Sequence, residues 1–258
     1  MSTPEVLVHR DAPTLAAAVA ARLVTRIVDA QWASGSAHVC LTGGRLGTAA
    51  LATLAASPAR DAIDWSALHV WWGDERHLPA GDPGRNETQA RAALLDQVPL
   101  TPANVHAPAP LAPGLDVDRS AALYAVDLLA ASRPEDHAPV PSFDVLLLGI
   151  GEDAHVASLF PQSPATYESD RSVVGVHGSP KPPSERVTLT FSAICAAREV
   201  WLLGSGAGKA DAVRLALSDA GPVQIPAAGA RGRERTLLLL DEDAAASIPT
   251  KLRRRASP

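Results

Sequence analysis

Segments with helical and strand-like spacing of apolar residues alternate along this chain, and this alternation restricts the fold more than any other feature of the sequence. The clearest strand is the apolar run at 143–150, which is typical of a strand covered on both faces. Alternation of this kind predicts an α/β fold of three layers, with a mostly parallel, twisted sheet and helices on both faces. In such sheets ligands bind beyond the carboxyl ends of the strands.

The predicted elements together describe a modified Rossmann-like domain. Strands are predicted at 37–41, 68–72, 143–150, 186–191, 200–203 and 236–240. Helices are predicted at 14–32, 46–56, 86–97, 117–131 and 207–217. The proline-rich segment 134–141 could link two domains, but the strand patterns on both sides of it favour a connection inside one. We therefore expect a single domain over residues 1–258, with a flexible basic tail at 250–258.

The composition excludes several classes of protein. The chain has 258 residues, 47% hydrophobic and 20% charged, which is typical of a globular protein and not of a disordered one. Its net charge of −5 provides no basic field for nucleic acid or an anionic membrane, although a small anion needs only a local positive pocket. The two cysteines, Cys40 and Cys195, are expected in the core and cannot form a disulfide framework. Because no signal peptide or membrane span is visible, we expect a cytoplasmic protein. We also expect a monomer.

Two glycine-rich loops that follow predicted strands are suited to an anionic ligand. Gly43 and Gly44 precede Arg45 and a helix, so backbone and helix N–H groups could approach an anion closely. A tight turn with no ligand is an equally good interpretation. The segment 204–210 is similar to a nucleotide-binding P-loop, but its first glycine is one residue too close and an alanine replaces the Ser/Thr that binds magnesium. An NTPase is therefore not predicted, although Lys209 could still bind a phosphate.

Two other loops combine charged residues with a defined backbone. Asp74, Glu75 and Arg76 follow a strand directly, and such residues are rarely buried without partners. They could bind a ligand or form ion pairs in a solvated loop, and Asn86, a candidate N-cap of the next helix, could turn toward them. Lys181 lies among prolines that hold the chain extended, so it would lose little entropy on binding an anion. A solvated lysine is the alternative.

The loop at 149–161 contains the residues best suited to catalysis. Its opening matches the dinucleotide fingerprint G-x-G-x-x-A, but Pro161 ends the following segment too early for a crossover helix. Asp153 lies two residues before His155, and a carboxylate can orient an imidazole and raise its basicity, as a general base requires. The sequence contains no G-x-S-x-G and no H-E-x-x-H or Cys/His cluster, so neither a nucleophile-elbow serine nor a metal site is predicted.

The order of these motifs resembles the glucosamine-6-phosphate isomerase/6-phosphogluconolactonase family over about residues 6–240. The matching segments are 42–44, 73–76 with Asn86, 149–161 and 179–186. The ending at 157–161 is similar to the lactonase branch, whereas the deaminase branch has an Asn-Glu-Pro ending that supplies a carboxylate. The chain departs from the family pattern in two loops. Arg45 replaces a serine, and residues 152–156 read Glu-Asp-Ala-His-Val where the family has Pro-Asp-Gly-His-Thr. Ala154 therefore needs a conformation that glycine adopts more easily.

The resemblance implies hydrolysis of a phosphosugar lactone, 6-phospho-D-glucono-1,5-lactone, without metal or cofactor. It implies that His155 takes a proton from water, that Asp153 orients the imidazole, and that N–H groups or a cation stabilise the oxyanion. Asp74 is a further candidate catalytic residue. The candidate substrate- or phosphate-binding residues are Gly43, Gly44, Arg45, Arg76, Asn86, Lys181, Arg186 and Lys209.

Two alternative functions fit the same motifs. One is a sugar-phosphate isomerase or deaminase in which Asp74 moves a proton, although the carboxylate expected after Ala157 is missing. The other is a sugar-phosphate sensor without catalytic activity, which would have no need of the pair Asp153 and His155.

Overall fold

The structure is a computed structural model that describes residues 2–256. Its strands are β1 (Pro4–His9), β2 (Ala37–Leu41), β3 (Leu68–Trp72), β4 (Asp74–Arg76), β5 (Val145–Gly149), β6 (Val173–Val176), β7 (Arg186–Leu189), β8 (Glu199–Gly204), β9 (Arg235–Asp241) and β10 (Arg254–Arg255). Its α-helices are α1 (Ala12–Ser34), α2 (Gly44–Ala56), α3 (Asn86–Ala93), α4 (Val117–Ala131), α5 (Phe191–Ile194), α6 (Ala210–Ala216) and α7 (Pro226–Gly229).

The main sheet has seven strands in the order β10-β1-β9-β8-β5-β2-β3, and all its neighbouring strands are parallel. This confirms the predicted α/β class. A second sheet, β4-β7-β6, is antiparallel. The strand predicted at 186–191 belongs to this small sheet and ends at Leu189, because the chain turns into α5 at Phe191.

Alternate residues of the main strands face the two layers, as expected for a sheet covered on both sides. On β5, Val145 and Leu147 pack with α1 and α2, whereas Leu146 and Leu148 pack with α4, α6 and the small sheet. Cys40 is fully buried, as predicted, but Cys195 is only partly buried. Among residues 2–256, no helix has the length and hydrophobicity needed to cross a membrane.

Capping residues explain where α1 begins and ends. Asp11 accepts a hydrogen bond from the backbone N–H of Thr14 at 2.8 Å, and Pro13 occupies the first turn. Gly35 adopts a left-handed φ of 80° and its N–H donates to Gln31, which closes the helix. The helix therefore extends two residues beyond the predicted 14–32 at each end.

The carboxyl-terminal segment differs from the expected flexible tail at 250–258. Over its described part it forms a one-turn 3-10 helix at Thr250–Leu252 and then β10, which pairs in parallel with β1. The N–H of Ala256 also donates to the carbonyl of Val8 at 2.9 Å. Lys251, Arg254 and Arg255 are exposed, whereas Arg253 is partly buried and donates to the carbonyls of Ala246 and Ile248 at 2.8 Å. Residues 257 and 258 of the expected tail lie outside the described residues.

A stack of aromatic rings at the β2–β3 edge predicts acid sensitivity. The rings of Trp71 and His106 stack at 3.9 Å, and those of His38 and His69 at 4.6 Å. Burial is the main cause that lowers the pKa of His38 to about 3 and that of His106 to about 4. The unfolded chain takes up protons on these residues below about pH 6.5, while the folded protein does not until lower pH.

We therefore expect the free energy of unfolding to decrease as the pH falls from about 6.5 toward 4. Urea unfolding at pH 7, 6 and 5 measures this slope. His106→Gln should make the slope shallower, and the control His177→Gln, at a side chain that is 59% exposed, should leave it nearly unchanged. An identical slope in wild type and His106→Gln would contradict this interpretation.

Candidate functional site

The candidate site lies at the carboxyl ends of two neighbouring strands whose connections run to opposite sides of the sheet. β2 and β5 are neighbours, but β2 leads to β3 on one side and β5 leads to β8 on the other. The loops at their carboxyl ends therefore diverge, and such a point is where open α/β sheets bind ligands. A cavity of about 810 Å³ opens there, which we call the sheet-end cleft. Its lining includes Thr42, Gly43, Gly44, Arg45, Gly149, Ile150, Ser205, Lys209 and Asp241.

The loop after β2 presents backbone N–H groups to this cleft. Gly43 is the N-cap of α2 and makes no side-chain capping bond, so the first N–H groups of this helix have no side-chain partner at the N-cap. Gly44 has a φ of 82°, a conformation that favours glycine. Thr42 joins this loop to the carboxyl end of β5, because its Oγ1 accepts a hydrogen bond from the N–H of Gly149 at 3.2 Å.

Two of the predicted phosphate-binding cations line the sheet-end cleft. Arg45 is exposed on the first turn of α2, and Lys209 ends the one-turn helix that follows β8. Burial lowers the pKa of Lys209, and the nearby carboxylate of Glu152 offsets part of this effect. The cleft thus combines these two cations with the N-terminus of α2, groups that can bind a phosphate, while the carboxylates of Asp241 and Asp243 also line it.

The loop after β5 holds the imidazole of His155 against a carboxylate. His155 Nδ1 lies 2.5 Å from Asp153 Oδ1, and Lys181 Nζ lies 3.8 Å from the same oxygen. Burial alone would raise the pKa of Asp153, but the hydrogen bond from His155 and the charges of His155 and Lys181 hold it well below its usual range. An ionised carboxylate only accepts hydrogen bonds, so Nδ1 carries a proton in either charge state of the ring, and in the neutral imidazole Nε2 has the free lone pair.

The loop after β5 contains alanines in a backbone conformation that favours glycine, as the sequence predicted for Ala154. Ala154 has a φ of 64° and Ala157 a φ of 50°, both in the left-handed region that glycine adopts more easily. Ala154 is fully buried, and its carbonyl accepts a hydrogen bond from Ala227 at 2.9 Å, which helps to keep it in this conformation. Gly151 leaves no room for a side chain, because a Cβ there would overlap the imidazole of His155.

Glu75 has a structural role that the sequence analysis did not identify. It is 1% exposed, and its carboxylate accepts hydrogen bonds from the N–H groups of Asn86 at 2.7 Å and Glu87 at 2.8 Å. The N-terminus of α3 is therefore capped by Glu75, and the prediction of Asn86 as N-cap was wrong. The side chain of Asn86 instead donates to the carbonyl of Asp74 at 2.9 Å and packs against Gly43. The only sequence signal for Glu75 was its place in a charged loop.

Asp74 lies in a buried polar network. It is 8% exposed, its Oδ2 accepts a hydrogen bond from Ser158 Oγ at 2.7 Å, and Arg186 Nη1 lies 3.8 Å from the same oxygen. Asn86 Nδ2 lies 3.4 Å from Oδ1. Ser158 was not predicted as a site residue, because nothing in its apolar segment indicates a hydrogen bond to Asp74.

Arg76 and Arg186 are outside the lining of the sheet-end cleft. Arg186 is 6% exposed and donates to the carbonyls of Lys181, Pro182 and Pro183 at 3.0 to 3.2 Å. Arg76 donates to the carbonyl of Gly84 at 2.6 Å. These bonds hold neighbouring loops, and those of Arg186 fix the segment that carries Lys181. Among residues 2–256, no three His, Cys, Asp or Glu side chains are grouped as metal ligands.

The chain is similar to known proteins over most of its length. A family model described as "Glucosamine-6-phosphate isomerases/6-phosphogluconolactonase" matches residues 10–239. The 6-phosphogluconolactonase of Streptomyces coelicolor is 63% identical, over 97% of this chain and 97% of its own length. That of Mycobacterium tuberculosis is 50% identical over 93% and 96%. The solved structure of 6-phosphogluconolactonase from Trypanosoma brucei has a TM-score of 0.79 and 30% identity, covering 96% of this chain and 100% of that chain.

Proposed function

The chain belongs to the glucosamine-6-phosphate isomerase/6-phosphogluconolactonase family, and from that premise we propose a role for each of its site residues. The protein is a lactonase of the pentose phosphate pathway that hydrolyses 6-phosphogluconolactone to 6-phosphogluconate. The observation that supports its mechanism best is the hydrogen bond between His155 Nδ1 and Asp153, in the loop whose first residues, Gly149 and Ile150, line the sheet-end cleft.

We propose that His155 is the general base. Because Nδ1 donates to Asp153, the lone pair of Nε2 is available to a water molecule. As that water attacks the lactone carbonyl, its proton passes to Nε2 and the carbonyl oxygen becomes an oxyanion. When the oxyanion collapses, the ring C–O bond breaks and the imidazolium returns the proton to the departing oxygen. Asp153 stabilises the imidazolium between these two steps.

The phosphate of the substrate binds, in this proposal, at the sheet-end cleft. The N–H groups after Gly43, the guanidinium of Arg45 and the ammonium of Lys209 surround one end of this cleft. Lys181 Nζ lies 3.8 Å from Asp153, and its charge also acts on Lys209, so it is near both the proposed base and the proposed phosphate site. Binding a phosphate remote from the carbonyl would hold the lactone against His155, which lowers the entropic part of the barrier.

Asp74, Arg76, Asn86 and Arg186 have supporting roles in this proposal. Arg186 holds the segment that carries Lys181 and shares the buried network of Asp74. Asn86 packs against Gly43 in the loop after β2, and Arg76 holds the adjacent loop through its hydrogen bond to the carbonyl of Gly84. Since Asp74 is buried and bonded to Ser158, we assign it to positioning Arg186 rather than to proton transfer.

We also propose that the protein works as a monomer in the cytoplasm, without nucleic acid or membrane partners. Both cysteines are free thiols, as is usual in a reducing compartment. The net charge of −5 does not favour binding to polyanions.

A product assay tests this function against the isomerase alternative. Fresh 6-phosphogluconolactone is generated in place, and 6-phosphogluconate is followed above the spontaneous rate. Glucosamine 6-phosphate is offered in a parallel reaction. We expect hydrolysis of the lactone and no ammonia or fructose 6-phosphate from the amino sugar. Turnover of glucosamine 6-phosphate alone would contradict the proposal and return Asp74 to the role of proton carrier.

A further inference from the structure

Asp241, at the carboxyl end of β9, joins two loops beside the sheet-end cleft. It is 4% exposed and accepts hydrogen bonds from Ser205 Oγ at 2.5 Å and from the N–H of Gly206 at 3.0 Å to both of its oxygens. It also accepts one from the N–H of Ala244 at 2.8 Å. One carboxylate therefore fixes the loop that follows β8 to the turn that follows β9.

The loop fixed by Asp241 is the one that carries Lys209. Gly206 has a φ of 90° and begins the one-turn helix Ala207–Lys209, where it makes no side-chain capping bond. The N–H of Lys209 donates to the carbonyl of Gly206 at 3.0 Å. The backbone of Lys209 is thus one hydrogen bond from the residue that Asp241 holds.

The negative charge of Asp241 has two opposite effects on the affinity for phosphate. A carboxylate next to the cleft repels an anionic ligand, so removing its charge without any other effect would tighten phosphate binding. A carboxylate is also the side chain that can accept bonds from a hydroxyl and an N–H at both oxygens, and such charge-assisted bonds are stronger than neutral ones. The two effects predict opposite changes in affinity.

We propose that Asp241 is a positioning residue for substrate capture: it holds the Ser205–Gly206 turn so that Lys209 meets the phosphate. This rests on the proposed phosphate role of Lys209. Asp241 is in the lining of the cleft, but both of its oxygens already accept hydrogen bonds from the protein, so in this proposal it acts through Lys209, and its loss weakens binding and leaves the chemical step intact.

The test compares Asp241→Asn with Asp144→Asn, a matched control at the opposite end of the sheet. Asp144 is also 4% exposed and accepts bonds from the N–H of His38 at 2.9 Å and from Arg198 at 3.3 Å. We expect Asp241→Asn to raise KM for the lactone about tenfold with kcat within about twofold, and Asp144→Asn to change neither. The dissociation constant of 6-phosphogluconate, measured by calorimetry without turnover, should rise about tenfold in parallel.

Coupling to Lys209 is measured by repeating Asp241→Asn in a Lys209→Ala background, where it should raise KM less than about twofold. An equal rise in both backgrounds, tighter binding by Asp241→Asn, or a fall in kcat alone would overturn the proposal.

If Asp241→Asn does not fold, Ser205→Ala is the deciding variant. We expect it to raise KM about two- to threefold, and an unchanged KM would contradict the proposal. Absence of lactone turnover by wild type would contradict the proposed function, while the calorimetric comparison would still test Asp241.

Discussion

His155→Ala should lower kcat for 6-phosphogluconolactone about 10²- to 10⁴-fold, because that is the usual contribution of a positioned general base. KM should stay within about twofold, since the imidazole is not among the groups proposed to bind the phosphate. The fold should persist, because His155 has its hydrogen bonds within its own loop. Steady-state rates corrected for spontaneous hydrolysis measure both constants.

His177→Ala is the matched control for this substitution. His177 is an exposed histidine that also lies beside a carboxylate, at 3.1 Å from Asp118. It should leave kcat and KM unchanged. A kcat of His155→Ala within about threefold of wild type would remove His155 from the mechanism and direct attention to Asp153.

Gly151→Ala should have the second largest effect. A Cβ at this position would overlap the imidazole of His155 and would lie 2.5 Å from Asp153 Oδ1. Ala154 of the same loop is fully buried and its N–H donates to the carbonyl of Gly151 at 3.0 Å. The pair must therefore separate or the loop must move, and we expect kcat to fall at least about a hundredfold and stability by about 1–3 kcal/mol.

Gly73→Ala tests whether any methyl group added in the loops after the strands would lower kcat and stability as Gly151→Ala does. Gly73 follows β3, and the nearest atoms to a Cβ there lie at 3.5 to 3.9 Å, which is ordinary contact. We expect it to keep kcat within about threefold of wild type. Equal losses in the two variants, measured by kcat and by urea unfolding, would show that the account of Gly151 is wrong.

Local patterns were sufficient to predict most of the main sheet and its helices. α4 was predicted with the bounds that it has, Val117–Ala131, because helical spacing of apolar residues is a property of the segment itself. β1 was missed because Pro4 and Glu5 interrupt its apolar pattern. Of the small antiparallel sheet only β7 was predicted as a strand, and its pairing with β4 was missed because it joins residues more than a hundred positions apart. Such pairing leaves no local signal.

The same distinction applies to the candidate site. Asp153 and His155 are two residues apart, so the sequence was enough to suggest their hydrogen bond. The bond between Ser158 and Asp74 spans 84 positions, and nothing near Ser158 indicates it. The departure at Ala154 was correctly expected to need a glycine-like conformation, because the requirement is set by the local turn.

The most direct test of this account is the tautomer of His155, read from long-range ¹H–¹⁵N correlations of the ring in ¹⁵N-labelled protein at mildly alkaline pH. The signal is assigned by its loss in His155→Ala. The account predicts a proton on Nδ1, donated to Asp153, and an unprotonated Nε2 that can accept a proton from water. A neutral ring with its proton on Nε2 would contradict the assignment of His155 as the base that acts through that atom.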